Sequence, residues 1–380
     1  MIRYWYQSVG PMSSDLLSVP CVLMRGGTSK GPFFLAEDLP ADPALRDALL
    51  IDVMGAGHPL QIDGIGGGNP LSSKVAIVDR ASRADADVDY LFAQVRVDQR
   101  VVDTTPNCGN MLAAVAPFAI EAGLVAARHP QTQVRIHNVN TGKVVIATVQ
   151  TPDGRVKYRG DTAIAGAPGT GSPIPLTFLD AAGARTGRLL PTGRASERID
   201  GIEVSCIDCA IPMVLLPAQA LGLRGDEAPA QLDADAALLQ RLEKIRIEAG
   251  HRMGIADAAE RVIPKPVLLS PPMHGGTLQV RYFMPQRCHG ALAITGAVGI
   301  ATACATEGTV ARSILGEHDL AKPIRLEHPS GTLEVRLERA AADDAIVASV
   351  VRTARRLLEG RVFTSLLPGS GTASAWTSAA

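Results

Sequence analysis

Residues 107–121 read NCGNMLAAVAPFAIE, and residues 290–306 read GALAITGAVGIATACAT. The first carries no charge before Glu121, and the second carries none at all. A helix that is apolar on every side must be buried on every side. Both runs are rich in Gly, Ala and Thr and poor in large side chains, so they predict buried core helices rather than membrane spans. In the first, Asn107 suits an N-cap, Gly109 and Asn110 suit the first turn, and Gly123 suits the stop. Pro117 predicts a kink.

Working outward, the chain repeats. VPCVLM from Val19 is matched by VSCIDC from Val204, and SSKVAIV from Ser72 by IPKPVLL from Ile263. LFAQVRVDQR from Leu91 is matched by LQVRYFMPQR from Leu278, and RIHNVNTGKVVI from Arg135 by RLEHPSGTLEV from Arg325. The order is the same in both halves at a spacing of roughly 185 residues, a duplicated domain rather than a solenoid. Val19–Met24, Lys74–Val78, Phe92–Val97, Gln133–His137 and Val144–Val149 have strand composition. Each half therefore reads as strands around one buried helix, an α+β fold. The expected domains are 15–190 and 191–365, joined by a Gly/Pro/Ala-rich linker at Asp161–Leu190. The ends 1–14 and 369–380 read as disordered. Ala228–Gly250 predicts one amphipathic outer helix with Pro229 in its first turn.

Composition narrows the partners. Lys+Arg is 37 against Asp+Glu 38, and aromatics are 4%, so a nucleic-acid footprint is absent. Six cysteines without a secretory leader read as a cytoplasmic protein, with no membrane segment. A homodimer is compatible with the sequence.

Two buried helices leave two N-termini with unpaired N–H groups and partial positive charge. Aimed at one cleft, they attract carboxylates. Cys108 puts a thiol at the first of these ends, a setting that favours thiolate over a merely buried cysteine. Lys74 is the second candidate. Only seven of the 37 basic residues are lysines. A lysine, unlike an arginine, can give up its proton and act as a base; a strand-end lysine reaching solvent is the alternative. The turn Gly64-Ile65-Gly66-Gly67-Gly68-Asn69 lacks the Gly-Lys-Ser/Thr ending of a P-loop and suits carboxylates held by backbone N–H groups. His289 opens the second helical region and either touches ligand or caps the helix. Cys206 and Cys209 match C-x-x-C, the basis of a zinc or dithiol redox alternative.

The stretches MRGGTSKGPFF (from Met24), QIDGIGGGNPLSSKVAIV (from Gln61), DVDYLFAQV (from Asp87), DTTPNCGNM (from Asp103), NVNTGK (from Asn138) and HPSGTLEV (from His328) resemble the 4-oxalomesaconate tautomerase and isomerase group. That group stands beside the 2-methylaconitate cis–trans isomerases in the diaminopimelate epimerase superfamily. The resemblance spans about Val19 to Arg361. It implies two pseudo-symmetric domains, each a curved, mostly antiparallel sheet around a central helix, with a cofactor-independent site and no metal in the cleft between them. It also implies a small di- or tricarboxylate substrate from bacterial breakdown of lignin-derived aromatics by the protocatechuate or gallate routes. In the epimerase branch both helix starts carry a cysteine. Here the second position falls on Cys288 or on Ala293; Ala293 is preferred because its spacing from Cys108 is 185, the Cys21–Cys206 spacing. The isomerase branch pairs a strand lysine with one cysteine, which maps onto Lys74 and Cys108.

The expected chemistry is proton transfer within an allylic polycarboxylate. Lys74 removes a proton, backbone N–H groups hold the dienolate, and Cys108 or Lys74 returns the proton at the far carbon. Keto–enol tautomerisation, and 2-methylaconitate or aconitate as substrate, stay open. The expected carboxylate holders are Ser29, Asn69, Ser72, Ser73, Asn107, Gly109, Asn110, His289, Thr295, Gly296, Ser330 and Gly331.

Overall fold

The computed structural model describes residues 16–179, 181–284, 286–339 and 346–365. The expected disordered ends, 1–14 and 369–380, lie outside them. The first run of strands is β1 (Leu17–Gly26), β2 (Ser29–Leu35), β3 (Lys74–Arg80), β4 (Val88–Val95), β5 (Gln131–Asn138), β6 (Lys143–Gln150) and β7 (Ile174–Phe178). A short β8 (Glu197–Ile199) leads into the second run. That run is β9 (Ile202–Cys209), β10 (Ile211–Pro217), β11 (Lys265–Ser270), β12 (Leu278–Tyr282), β13 (Ile324–His328), β14 (Gly331–Arg339) and β15 (Ile346–Arg352), followed by β16 (Ala354–Thr364). Among the described residues no helix is long and apolar enough to cross a membrane.

The two runs pair in the same sequence of senses. Within β1 to β7 the neighbours are antiparallel, parallel, antiparallel, parallel, antiparallel, antiparallel. Within β9 to β15 the order of senses is identical. The fold is α+β and internally duplicated. β7 pairs with β15 and β16 with β1, both antiparallel, so each run is stitched to the other. Residues 354–364 thus hydrogen-bond to the first strand of the chain.

Helix α1 (Pro43–Met54) covers the outer face of the first run, and α2 (Gly109–Glu121) fills its inner face. On the second run α3 (Pro229–Ala234) and α4 (Ala236–Arg252) lie outside, and α5 (Ile294–Cys304) lies inside. Every residue of α5 is buried, as are ten of α2. The alternation of β3 explains the layering. Ala76 and Val78 point to the α2 core, while Val75 and Ile77 point to the α1 core.

Three expectations change. The outer helix breaks at Asp235, whose non-helical backbone (φ −87°, ψ 89°) ends α3 and whose carboxylate accepts from Leu238 N at 2.9 Å to start α4. The stretch read as linker contains β7, a strand bonded on both sides. Helix α2 is capped by Cys108 rather than Asn107 and runs on past Pro117, which forfeits one backbone donor.

The starts of α2 and α5 meet. A Cβ added at Gly109 would lie 2.9 Å from Ile294 Cβ and 3.1 Å from its Cγ2, so only a glycine lets the helices approach. Gly109→Ala is therefore expected to cost about 1–3 kcal/mol through overpacking. Thermal unfolding of Gly109→Ala, Ile294→Ala and the double variant checks this. Truncating Ile294 should recover part of the loss, and additive effects would remove the contact from the account.

Candidate active site

Cys108 is the N-cap of α2, with extended backbone (φ −138°, ψ 100°), and its side chain makes no capping bond. Its carbonyl accepts from Leu112 N at 3.0 Å and from the Tyr90 hydroxyl at 3.3 Å. Its Sγ lies 3.8 Å from Ser29 Oγ. The turn carrying Ser29 lies against the helix start because Gly27, at φ +52°, has no Cβ to strike the Asn110 side chain. Asn110 Oδ1 in return accepts from Thr28 N at 3.3 Å.

Lys74 opens β3 and is buried. Its Nζ donates to Gln94 Oε1 at 2.7 Å and lies 5.0 Å from the centre of the Phe92 ring. Gln94 stands opposite Lys74 in the β3–β4 ladder. Its amide nitrogen donates to Ser73 O at 2.8 Å and Pro70 O at 3.2 Å, which leaves its oxygen for the amine. Tyr90 and Phe92 project from one face of β4 two residues apart, a rise of about 7 Å. The Cys108 carbonyl therefore touches one ring, and the Lys74 amine lies over the next.

The glycine turn ahead of Lys74 is pinned from below. Buried Gln61 donates to Ser73 Oγ at 2.7 Å and accepts from Gly68 N at 3.0 Å, and Ser73 Oγ donates to Val95 O at 2.8 Å. Ser73 is fully buried and its hydroxyl is engaged on both sides, so it holds the turn rather than facing a ligand. Asn69 and Ser72 line an open pocket of about 280 Å³ with Ser29, Thr28, Lys30 and Arg25. Ser29 joins this pocket to Cys108. Asn69 Oδ1 accepts from Leu71 N at 2.8 Å, and Ser72 Oγ donates to Asn69 O at 3.2 Å.

In the second half the N-cap of α5 is Ala293, the counterpart of Cys108 at the start of α2. Cys288 lies upstream in the outer core, its N–H on Asp233 Oδ1 at 2.7 Å and its thiol pushed up to about 12 by burial. The register through Ala293 is the one the fold follows, and the second helix start has no thiol. Asn107 and Thr295, from the two helix starts, line one small cavity. Gly296 lets the Tyr282 ring press on α5, since a Cβ would sit 2.6 Å from it. Ser330 Oγ donates to Gly290 O, and Gly331, at φ +131°, packs against Ala165.

His289 accepts from Ala291 N at Nδ1 (2.9 Å), so its neutral form carries the proton on Nε2. Burial holds the imidazole below its ordinary value, and the charges of Lys74 and Lys265 add to this. His289 thus links the two halves electrostatically. Outer helices α1 and α4 are capped by Asp42 and Asp235, whereas α2 and α5 have no side-chain cap. Their first-turn amides remain open to an anion.

The C-x-x-C alternative does not survive the geometry. Cys206 and Cys209 lie an odd number of residues apart on β9, so Cys206 faces the outer core and Cys209 the inner. Burial pushes Cys206 up to about 12, and Cys209 bonds Thr302 Oγ1 at 3.4 Å. Gln94, Gln61 and Tyr90 were not singled out from sequence. For Gln94 the signal was the strand period through DVDYLFAQV, but its pairing with Lys74 needs the register.

The chain is similar to known proteins along nearly its whole length. It is 56% identical to YbhH of Escherichia coli (strain K12) over 346 residues, covering 91% of this chain and 99% of that one. It is 50% identical to the 4-oxalomesaconate tautomerase of Pseudomonas putida over 347 residues, covering 90% and 95%. The crystal structure of methylitaconate-delta-isomerase superposes with a TM-score of 0.83 at 36% identity, covering 94% and 99%. A hydroxyproline epimerase from Agrobacterium vitis, at 14% identity and a TM-score of 0.52, shares the fold. The family described as PrpF protein matches residues 16–365, and the chain is an isomerase that belongs to that family.

Proposed function

We propose that this isomerase moves a carbon–carbon double bond in an unsaturated polycarboxylate of the 4-oxalomesaconate type by 1,3-allylic proton transfer. One observation supports the reading most. A lysine amine held by a neutral amide lies over Phe92, and two residues along the same strand Tyr90 bonds the backbone carbonyl of Cys108, whose thiol stands on an uncapped helix start. Lys74 takes a proton from the methylene beside the conjugated alkene, and Gln94 accepts from the amine without adding charge. The electron pair passes into a dienolate. First-turn N–H groups of α2 and α5 face the oxygen that gains charge. A proton then adds at the far allylic carbon, from Cys108 or from Lys74, and the double bond has moved with no net redox change. Likeness to a relative named for 4-oxalomesaconate favours that substrate over 2-methylaconitate.

Turnover of 4-oxalomesaconate, 2-methylaconitate and aconitate, followed by the ultraviolet absorbance of the conjugated alkene, ranks the substrates. Proton NMR in deuterium oxide should show deuterium entering at the far allylic carbon. Exchange confined to the carbon beside the keto group would replace allylic transfer with tautomerisation. Lys74→Met should lower kcat by a factor of about 10²–10⁴, the usual worth of a general base. Turnover within threefold of wild type would exclude Lys74.

Gln94→Leu keeps the strand but removes the acceptor. It is expected to lower kcat about tenfold or more, with a smaller change in KM. Gln94→Glu should lose at least as much, because a carboxylate beside the amine holds its proton in place. Wild-type kcat in both variants would mean that Gln94 does not position the base.

A further inference from the structure

Lys265 occupies in the second half the place that Lys74 occupies in the first. Each opens the third strand of its run. Two residues on, Ala76 stands opposite Phe92 and Val267 opposite Tyr282, so the ladders superpose lysine on lysine. Val267 and Leu269 belong to the core around α5, so Lys265, on the same face of β11, projects inward as Lys74 does. The partners differ. Lys74 faces Gln94, while continuing the β11–β12 register by two residues puts Met284, which offers no strong acceptor, opposite Lys265.

Lys265 is 7% exposed, and among the described residues nothing accepts a hydrogen bond from its amine. Burial and the charge of Arg246 bring it down to about 8, which still leaves it largely protonated at neutral pH. Arg246 is itself matched by Glu243 through two bonds of 2.6 Å. Lys74 and Lys265 are the charges that lower His289, and Arg352, His289 and Arg281 those that lower His328; Arg281 in turn is met by Glu227, Asp226 and Glu327. Arg352 is also buried, and its Nε has no partner. A mostly buried ammonium with no bonded acceptor is costly, and an anion entering from outside would relieve that cost.

We infer that Lys265, together with the Nε2–H of His289, seats one carboxylate of the substrate at the second-half wall of the cleft. This rests on the proposed reading of the site and sharpens it. A substrate must present a carboxylate to Lys265 in addition to those held at the helix starts and the glycine turn, which selects tricarboxylates over dicarboxylates. The residue binds; the proton transfer stays with Lys74 and Cys108.

The test uses propane-1,2,3-tricarboxylate, a saturated probe that cannot isomerise, and glutarate as its dicarboxylate control. Calorimetric titration of wild type, Lys265→Met, Lys265→Gln and Lys265→Arg reads affinity without turnover. Both neutral variants should weaken the tricarboxylate tenfold or more and glutarate by threefold or less, while Lys265→Arg keeps most of the affinity. On the reacting substrate they should raise KM by more than they lower kcat. Equal affinity in either folded neutral variant, equal loss for both probes, or a fall in kcat at constant KM would overturn the inference. Lys265-dependent tricarboxylate binding by a wild type that moves no double bond would uphold it and sink the proposed reaction instead.

Discussion

The structure depends on two positive helix ends being held face to face. An α-helix start carries roughly half a unit of positive charge, and two of them brought together repel. The chain nevertheless packs Gly109 directly on Ile294 and leaves both starts without a capping side chain. What holds them is the burial of two largely apolar helices inside sheets that cross into one another through β7–β15 and β16–β1. A bound anion would relieve the repulsion that remains, so packing alone favours an anion site there.

From that centre the remaining parts are placed by strand geometry. β3 delivers Lys74 to the inner face because its period is two, and β4 supplies Gln94 across the ladder and the Tyr90 and Phe92 rings along one side. The glycine turn can approach because Gln61, in a left-handed conformation, occupies the space a side chain at Gly66 would need. Gln61 then ties the turn to Ser73, and Ser73 to Val95. The Lys74 amine is held through Gln94, whose amide nitrogen is fixed by the backbone carbonyls of Ser73 and Pro70.

Much of this was legible in the sequence, for identifiable reasons. Charge-free helices advertise their burial, so α2 and α5 could be read, and with them the duplicated architecture and the place of Cys108. Lys74 could be read because lysine is scarce here. The family motifs added the pairing of the two. Features set by register could not be read. Gln94 is one of many strand glutamines until it is known to stand opposite Lys74. Ser73 looked like its neighbour Ser72, yet alternation turns one hydroxyl into the core and the other toward the pocket. The break at Asp235 was hidden because the residues on both sides favour helix; a single aspartate side chain bonding Leu238 N decides it. β7 was hidden because its pairing partners, β6 and β15, lie far away in the chain.

The duplication also explains why the two halves have drifted apart chemically. Inverting a single carbon calls for a proton carrier on each of its faces, and a symmetric pair of helix starts could supply two. Moving a double bond asks for something different: one base, one site of return, and a fixed framework for the charge that spreads between them. On the proposed reading the first half carries the proton traffic, with Lys74 held by Gln94 and Cys108 on its helix start. At the matching places the second half has Ala293, which cannot carry a proton, and Lys265, which has a charge but no acceptor. Among the described residues the second half offers a helix dipole and a lysine with no bonded acceptor. On the proposed reading both hold a bound anion while the proton transfer stays in the first half, so the same fold that could serve two faces of one atom would here hold a three-carbon unit still.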